Sequence, residues 1–230
     1  MSDATPIQDT QIQDTVKPDA SNLISDALRV ITNPTAFFRG MQKDGGLGPP
    51  LMFAVAIGVV TGVLRLILGI LGMGGEPSFW MAIAGLVLAP IFVAIFGFLG
   101  AAIAHVVWNV LGSKESYETS YRCGAYSMAI LPITQLFDWV PYLGAVFAIA
   151  WYTWLMIVAG IHVHGIKEKT AKLAFGLVGG VLMLVVLSME FGSRKLSSGL
   201  AEAWAKSGVT DEEAQEARDA VDEMLSRLRK

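Results

Sequence analysis

From Trp80 to Leu111 the chain carries no Asp, Glu, Lys or Arg. As a helix rising about 1.5 Å per residue, this stretch is about half again as long as the ~30 Å hydrocarbon layer of a bilayer. It must tilt, kink near Pro90 or extend into water, and its solvent is lipid. Composition agrees, with 53% hydrophobic residues, 16% charged residues and a mean hydropathy of +0.54. Such a chain is not a soluble enzyme. A net charge of -3 leaves no basic surplus to offset phosphates, which excludes nucleic acid as a partner. The one cysteine, Cys123, cannot close an internal disulfide, and with three histidines the chain lacks the ligands of a zinc ribbon.

Four further apolar stretches flank that one: residues 51–71, 123–140, 142–161 and 173–191. With 80–111 they predict an all-α, multi-pass membrane bundle of about five spans over residues 49–191. Cys123 to Val140 is the weakest, because it contains Pro132, Thr134, Gln135 and Asp138, and a re-entrant path is the alternative there. Residues 1–20 are rich in Gln, Asp, Thr and Pro and are expected to be disordered. Between 21 and 48, Asn33-Pro34 separates two short amphipathic helices, Asn as cap and Pro at the first helical position. Phe37, Phe38 and Met41 beside Arg39 and Lys43 predict a helix in the membrane interface, rings at headgroup level and cations toward anionic lipid. The segment 192–230 is a charged tail, and its capping box Thr210-Asp-Glu-Glu213 predicts a soluble helix to Arg229.

Basic residues set the orientation. Arg39, Lys43, Lys114, Arg122, Lys167, Lys169 and Lys172 fall on one side of a five-span arrangement, while the loops at 72–78 and around Pro141 have none. The amino terminus is therefore expected in the cytoplasm and the carboxyl terminus outside. Arg194, Lys195 and Lys206 beyond the last span lower the contrast, and a four-span form with both ends inside is the alternative.

No nucleophile elbow, phosphate-cradling loop, HExxH motif or clustered carboxylate pair is present, so neither an enzyme nor a cofactor is predicted. His162 and His164 are two apart, which on a helix points them to opposite sides and argues against a shared metal. Ionisable groups within apolar segments are costly and therefore informative. Arg65 is expected to pair with Asp138 or Glu190 at matching depth. His105 is placed in the same cytoplasmic layer as Glu118, Tyr121, Tyr126, His162 and His164, where a histidine can sense pH or shuttle a proton. Gly58 with Gly62, and Gly176 with Gly180, have the one-turn spacing that lets helix backbones approach.

The order of these features resembles a family. Asn33-Pro34-Thr-Ala-Phe37-Phe38-Arg39-Gly40-Met41, Gly45-Gly46, Pro49-Pro50-Leu51 and Phe53-Ala54 are similar to the entry into the first span of bacterial Yip-domain proteins. These are relatives of the Ypt/Rab-GTPase-interacting proteins of eukaryotic secretory membranes. His105, Leu111-Gly112-Ser-Lys-Glu115-Ser116-Tyr117-Glu118-Thr119, Tyr121-Arg122 and Ala125-Tyr126-Ser127 resemble the loop between that family's second and third spans. Pro132, Pro141, Gly144, Trp151 and Gly160-Ile-His-Val-His164-Gly165-Ile166 fit its later pattern.

The resemblance covers about residues 33 to 190 and implies five spans with a cytoplasmic amino terminus. It implies a non-enzymatic membrane adaptor, which in eukaryotic members binds prenylated small GTPases, organises vesicle traffic and shapes membranes. Expected partners are membrane lipids, other membrane or cytoplasmic proteins, and a second copy of the chain. The competing reading is a small transporter or lipid-handling protein using Arg65 and the polar third stretch.

Overall fold

The computed structural model describes residues 20–71, 79–138 and 140–207, together with Arg227. Most of the amino-terminal tail, the loop at 72–78 and the helix expected from Thr210 lie outside the described residues. The described elements are helical: α1 (Ala20–Thr32), α2 (Pro34–Gly40), α3 (Gly48–Ile70), α4 (Phe79–Val110), α5 (Tyr117–Ser127), a 3-10 turn (Met128–Ile130), α6 (Leu131–Gln135), α7 (Leu143–His162) and α8 (Glu168–Ser207). Four of them contain stretches long and apolar enough to cross a membrane: Gly48–Ile70, Ala84–Val110, Leu143–His162 and Glu168–Gly199. Their outer faces carry exposed Val60, Val87, Ile95, Phe96, Ile103 and Leu177, side chains suited to lipid.

The chain divides into two compact units, residues 1–180 and 181–230. In the second, α8 continues with exposed Leu184, Met189 and Phe191, then turns polar around an i,i+4 pair in which Arg194 donates to Glu190 at 2.8 Å.

Cys123 to Val140, expected as the third span, is not one continuous helix. It comprises the end of α5, the 3-10 turn and the five residues of α6, with Pro132 in the first turn of α6. Proline has no N–H to continue an α-helical ladder, and the chain tightens into 3-10 geometry just before it. The low hydropathy of the segment has a matching cause in packing. On α5, the residues from Thr119 to Ala125 are buried, along with Ser127. Protein encloses this helix, so its hydroxyls bond to protein and need not face lipid.

The reading of α2 as a lipid-facing helix is also corrected. Phe37 and Phe38 are buried in the protein core with Val30, Phe53, Ile130 and Leu155. The Phe37 ring stands edge-on to Tyr126 at 5.1 Å, and Tyr126 lies 4.9 Å from Phe53. Asn33 does cap α2, its side chain accepting from the Ala36 N–H at 3.2 Å, with Pro34 beginning the helix. The cap turns the chain so that the aromatic pair faces inward, while Met41 is half-buried and Arg39 stays exposed.

Glycines mark the close helix contacts. A Cβ on Gly58 would lie 2.8 Å from the Cα of Pro90, so α3 meets α4 backbone to backbone there, and Gly62 one turn on is buried. Gly176 and Gly180 are not contact positions, because both are exposed and a Cβ on either meets nothing within 4 Å. The inward stripe of α8 is Ala171, Phe175 and Gly179, each one turn from the next, and a Cβ on Gly179 would overlap the Thr153 side chain of α7. Gly58→Ala should therefore destabilise the protein by about 1–3 kcal/mol through overpacking. Gly176→Ala should be neutral or stabilise by up to about 1 kcal/mol through helix propensity. Unfolding of both variants in detergent checks the contrast.

Candidate functional site

Three segments far apart in sequence converge at one end of the first unit: the arm from α2 to α3, the loop between α4 and α5, and the turn between α7 and α8. Gly45 and Gly46 have φ of 111° and 82°, a conformation that glycine adopts without a steric penalty. The resulting turn presents both backbone groups of Gly46 to α5. Its N–H donates to Glu118 Oε1 at 2.7 Å, and its carbonyl accepts from Arg122 Nη2 at 2.7 Å. Arg122 Nη2 also donates to Glu118 Oε1 at 3.1 Å, closing a ring of three partners. Arg122 is 3% exposed, so its charge is held by this carboxylate and carbonyl in place of water.

Further bonds fasten the arm around that ring. Lys43 Nζ donates to Glu115 at 2.6 Å and to the Val163 carbonyl at 3.1 Å, tying all three segments through one ammonium. Arg39 Nε donates to His162 Nδ1 at 3.2 Å. Thr119 Oγ1 donates to the Lys43 carbonyl at 3.3 Å.

Beneath this outer layer is a buried one. His164 stacks on Trp108 with centroids 3.8 Å apart, its Nδ1 lies 2.8 Å from Ser113 Oγ, and its Nε2 lies 3.9 Å from the Cys123 thiol. Burial, then Lys43 and His105, lowers the His164 pKa to about 3, so the imidazole is neutral at ordinary pH. His105 is fully occupied too. Its Nε2 lies 2.9 Å from Asn109 Nδ2, and its Nδ1 lies 2.9 Å from Ser120 Oγ. Tyr121 stacks on Phe98 at 4.2 Å, and burial pushes its pKa up to about 12. The Tyr121 hydroxyl and Trp108 Nε1 are buried without a hydrogen-bond partner among the described residues.

The remaining sequence candidates lie elsewhere. Arg65 is exposed on α3, and it forms no ion pair with Asp138 among the described residues. Glu190 bonds within its own helix, and Asp138 packs against the first turn of α7, where a Cβ on Gly144 would fall on its carboxylate. His162 and His164 point to different neighbours, and among the described residues no group of three potential metal ligands forms.

A family model of the Yip1 domain matches residues 28–189, from within α1 to well into α8, and so takes in the whole polar cap. The chain belongs to the Yip1 domain family. No curated protein and no solved structure matches it. In this Yip1 domain the arm is fastened through Lys43, Gly46 and Glu115, which the sequence marks as charges and turn residues without giving them each other as partners. Asp44-Gly45-Gly46 is a turn signal between helices, and Lys43 and Glu115 are opposite charges in two polar loops. Nothing in the sequence says that the two loops meet.

The His164 site has a pH signature. Its folded pKa lies below the ordinary value of 6.5, so between about 6.5 and 3 the unfolded chain binds the proton and the folded chain does not. Stability should rise with pH across that window and fall on acidification, by up to about 1.4 kcal/mol per pH unit. His164→Gln should flatten the slope between pH 7 and pH 5, as read from melting temperatures in detergent.

Proposed function

We propose that this Yip1 domain protein is a non-enzymatic membrane scaffold that recruits protein partners through the outer surface of its polar cap. The observation that carries the reading is the closed ring of Gly46, Glu118 and Arg122, which makes one rigid surface from segments 72 or more residues apart in sequence. The charges of the inner cap are spent on one another, as a structural surface requires and a catalytic site does not. Exposed Asp44, Lys114 and Lys167 remain on its outside, free to meet a partner of complementary charge. The excess of basic residues in the same segments supports a cytoplasmic cap, and the resemblance to bacterial Yip-domain proteins implies a bacterial inner membrane.

In a Cys123→Ser background, a cysteine at Glu76 should react with an impermeant thiol reagent added to whole cells, and one at Ser116 should react only after lysis. A photo-crosslinking residue at Lys114 should then give discrete protein adducts in cells, and one at Val87 lipid adducts. Reversed labelling removes the cap from the cytoplasm. Solute uptake by reconstituted vesicles, with no protein adduct at Lys114, would replace the scaffold by a transporter.

A further inference from the structure

Between α1, the arm and the start of α3 lies an open groove of about 590 Å³, within the range of small-ligand sites. Asp26 and Arg29, one turn apart on α1, contribute its charges together with Arg122. Arg122 is already neutralised by Glu118, whereas Asp26 and Arg29 have no ion-pair partner among the described residues. The groove therefore offers a ligand one positive and one negative group. The Arg29 guanidinium is held 5.8 Å above the Phe37 ring, which fixes where the positive group sits.

Part of the groove's lining is apolar. Met52, 40% exposed, forms its wall in the first turns of α3, and exposed Val59, Val60 and Val63 continue down the same helix. A charged pocket of both signs thus opens at the top of an apolar track along a helix long enough to cross a membrane.

We propose that this groove binds the headgroup of a zwitterionic phospholipid bearing a primary ammonium. Arg29 takes the phosphate, Asp26 accepts the ammonium N–H bonds, and the acyl chains run past Met52 along α3. A quaternary ammonium has no N–H to give Asp26, and an anionic headgroup leaves Asp26 facing like charge. Burial holds the Asp26 carboxyl above the usual carboxylate range, against the pull of Arg29, so an ammonium there also restores its preferred charge balance.

The test uses the full chain, delipidated in detergent and titrated by native mass spectrometry with dimyristoyl phosphatidylethanolamine, phosphatidylcholine, phosphatidylglycerol and free phosphoethanolamine. Phosphatidylethanolamine should bind about tenfold more tightly than the other two lipids, the size expected for a hydrogen bond to a charged group. Asp26→Asn should erase that preference, and Arg29→Gln should weaken all three lipids. Equal affinities, or a preference that survives Asp26→Asn, would overturn the proposal. Free phosphoethanolamine binding as tightly as the lipid would overturn the lipid as its source. If Asp26→Asn does not fold, Met52→Trp beside the acyl chains serves instead: weaker binding of all three lipids supports the site, and unchanged binding overturns it.

Discussion

The architecture of the first unit hangs on the buried guanidinium of Arg122. Removing a cation from water costs several kcal/mol, and it is stable here because Glu118 and the Gly46 carbonyl take the place of the solvent. The glycine turn that supplies this carbonyl is itself crowded against the cation: a Cβ on Gly45 would come within 3.2 Å of Arg122 Nη2. Once Gly46 is fixed, the arm can run only one way, and Lys43, Arg39 and the Phe37–Phe38 pair fall into their places on α5 and α7. The amino-terminal helices are thus part of the folded domain, and α1 adds Val30 to the same core.

Enclosing α5 has a consequence for membrane depth. A helix with Thr119, Ser120, Arg122 and Ser127 would be expensive against hydrocarbon, because each polar group there must find a protein partner. Here they find the Lys43 carbonyl, the Ser116 carbonyl, the Glu118 carboxylate and the Cys123 carbonyl. Polar and apolar parts of the chain are therefore sorted by layer: long apolar helices outside, a short polar helix within, and an electrostatic clasp over one end.

The sequence made the apolar helices plain, because their length and lack of charge admit few structures other than a span. It also marked Asn33-Pro34 as a helix start and named most of the residues of the cap. Partner choice was far less legible. Arg65 looked paired with Asp138 because matching depth was the sole criterion available, yet Asp138 packs on the first turn of α7. Phe37 and Phe38 looked interfacial because a buried aromatic pair and a lipid-facing one have the same spacing. Gly176 and Gly180 satisfied the small-residue pattern, but the contact face of α8 passes through Gly179. These errors share one cause: periodicity identifies a face and does not identify its neighbour.

As a Yip1 domain, the protein offers its environment a rigid polar cap at the end of an apolar bundle, and the account depends on the Arg122 clasp making that cap one body. Hydrogen exchange of the full chain in nanodiscs, comparing wild type with Arg122→Gln, tests this directly. Protection should fall across residues 33–48 and α5 in the variant while the middle of α7 keeps its own. Unchanged exchange in residues 33–48 would contradict it, because the arm would then be held by something other than the clasp.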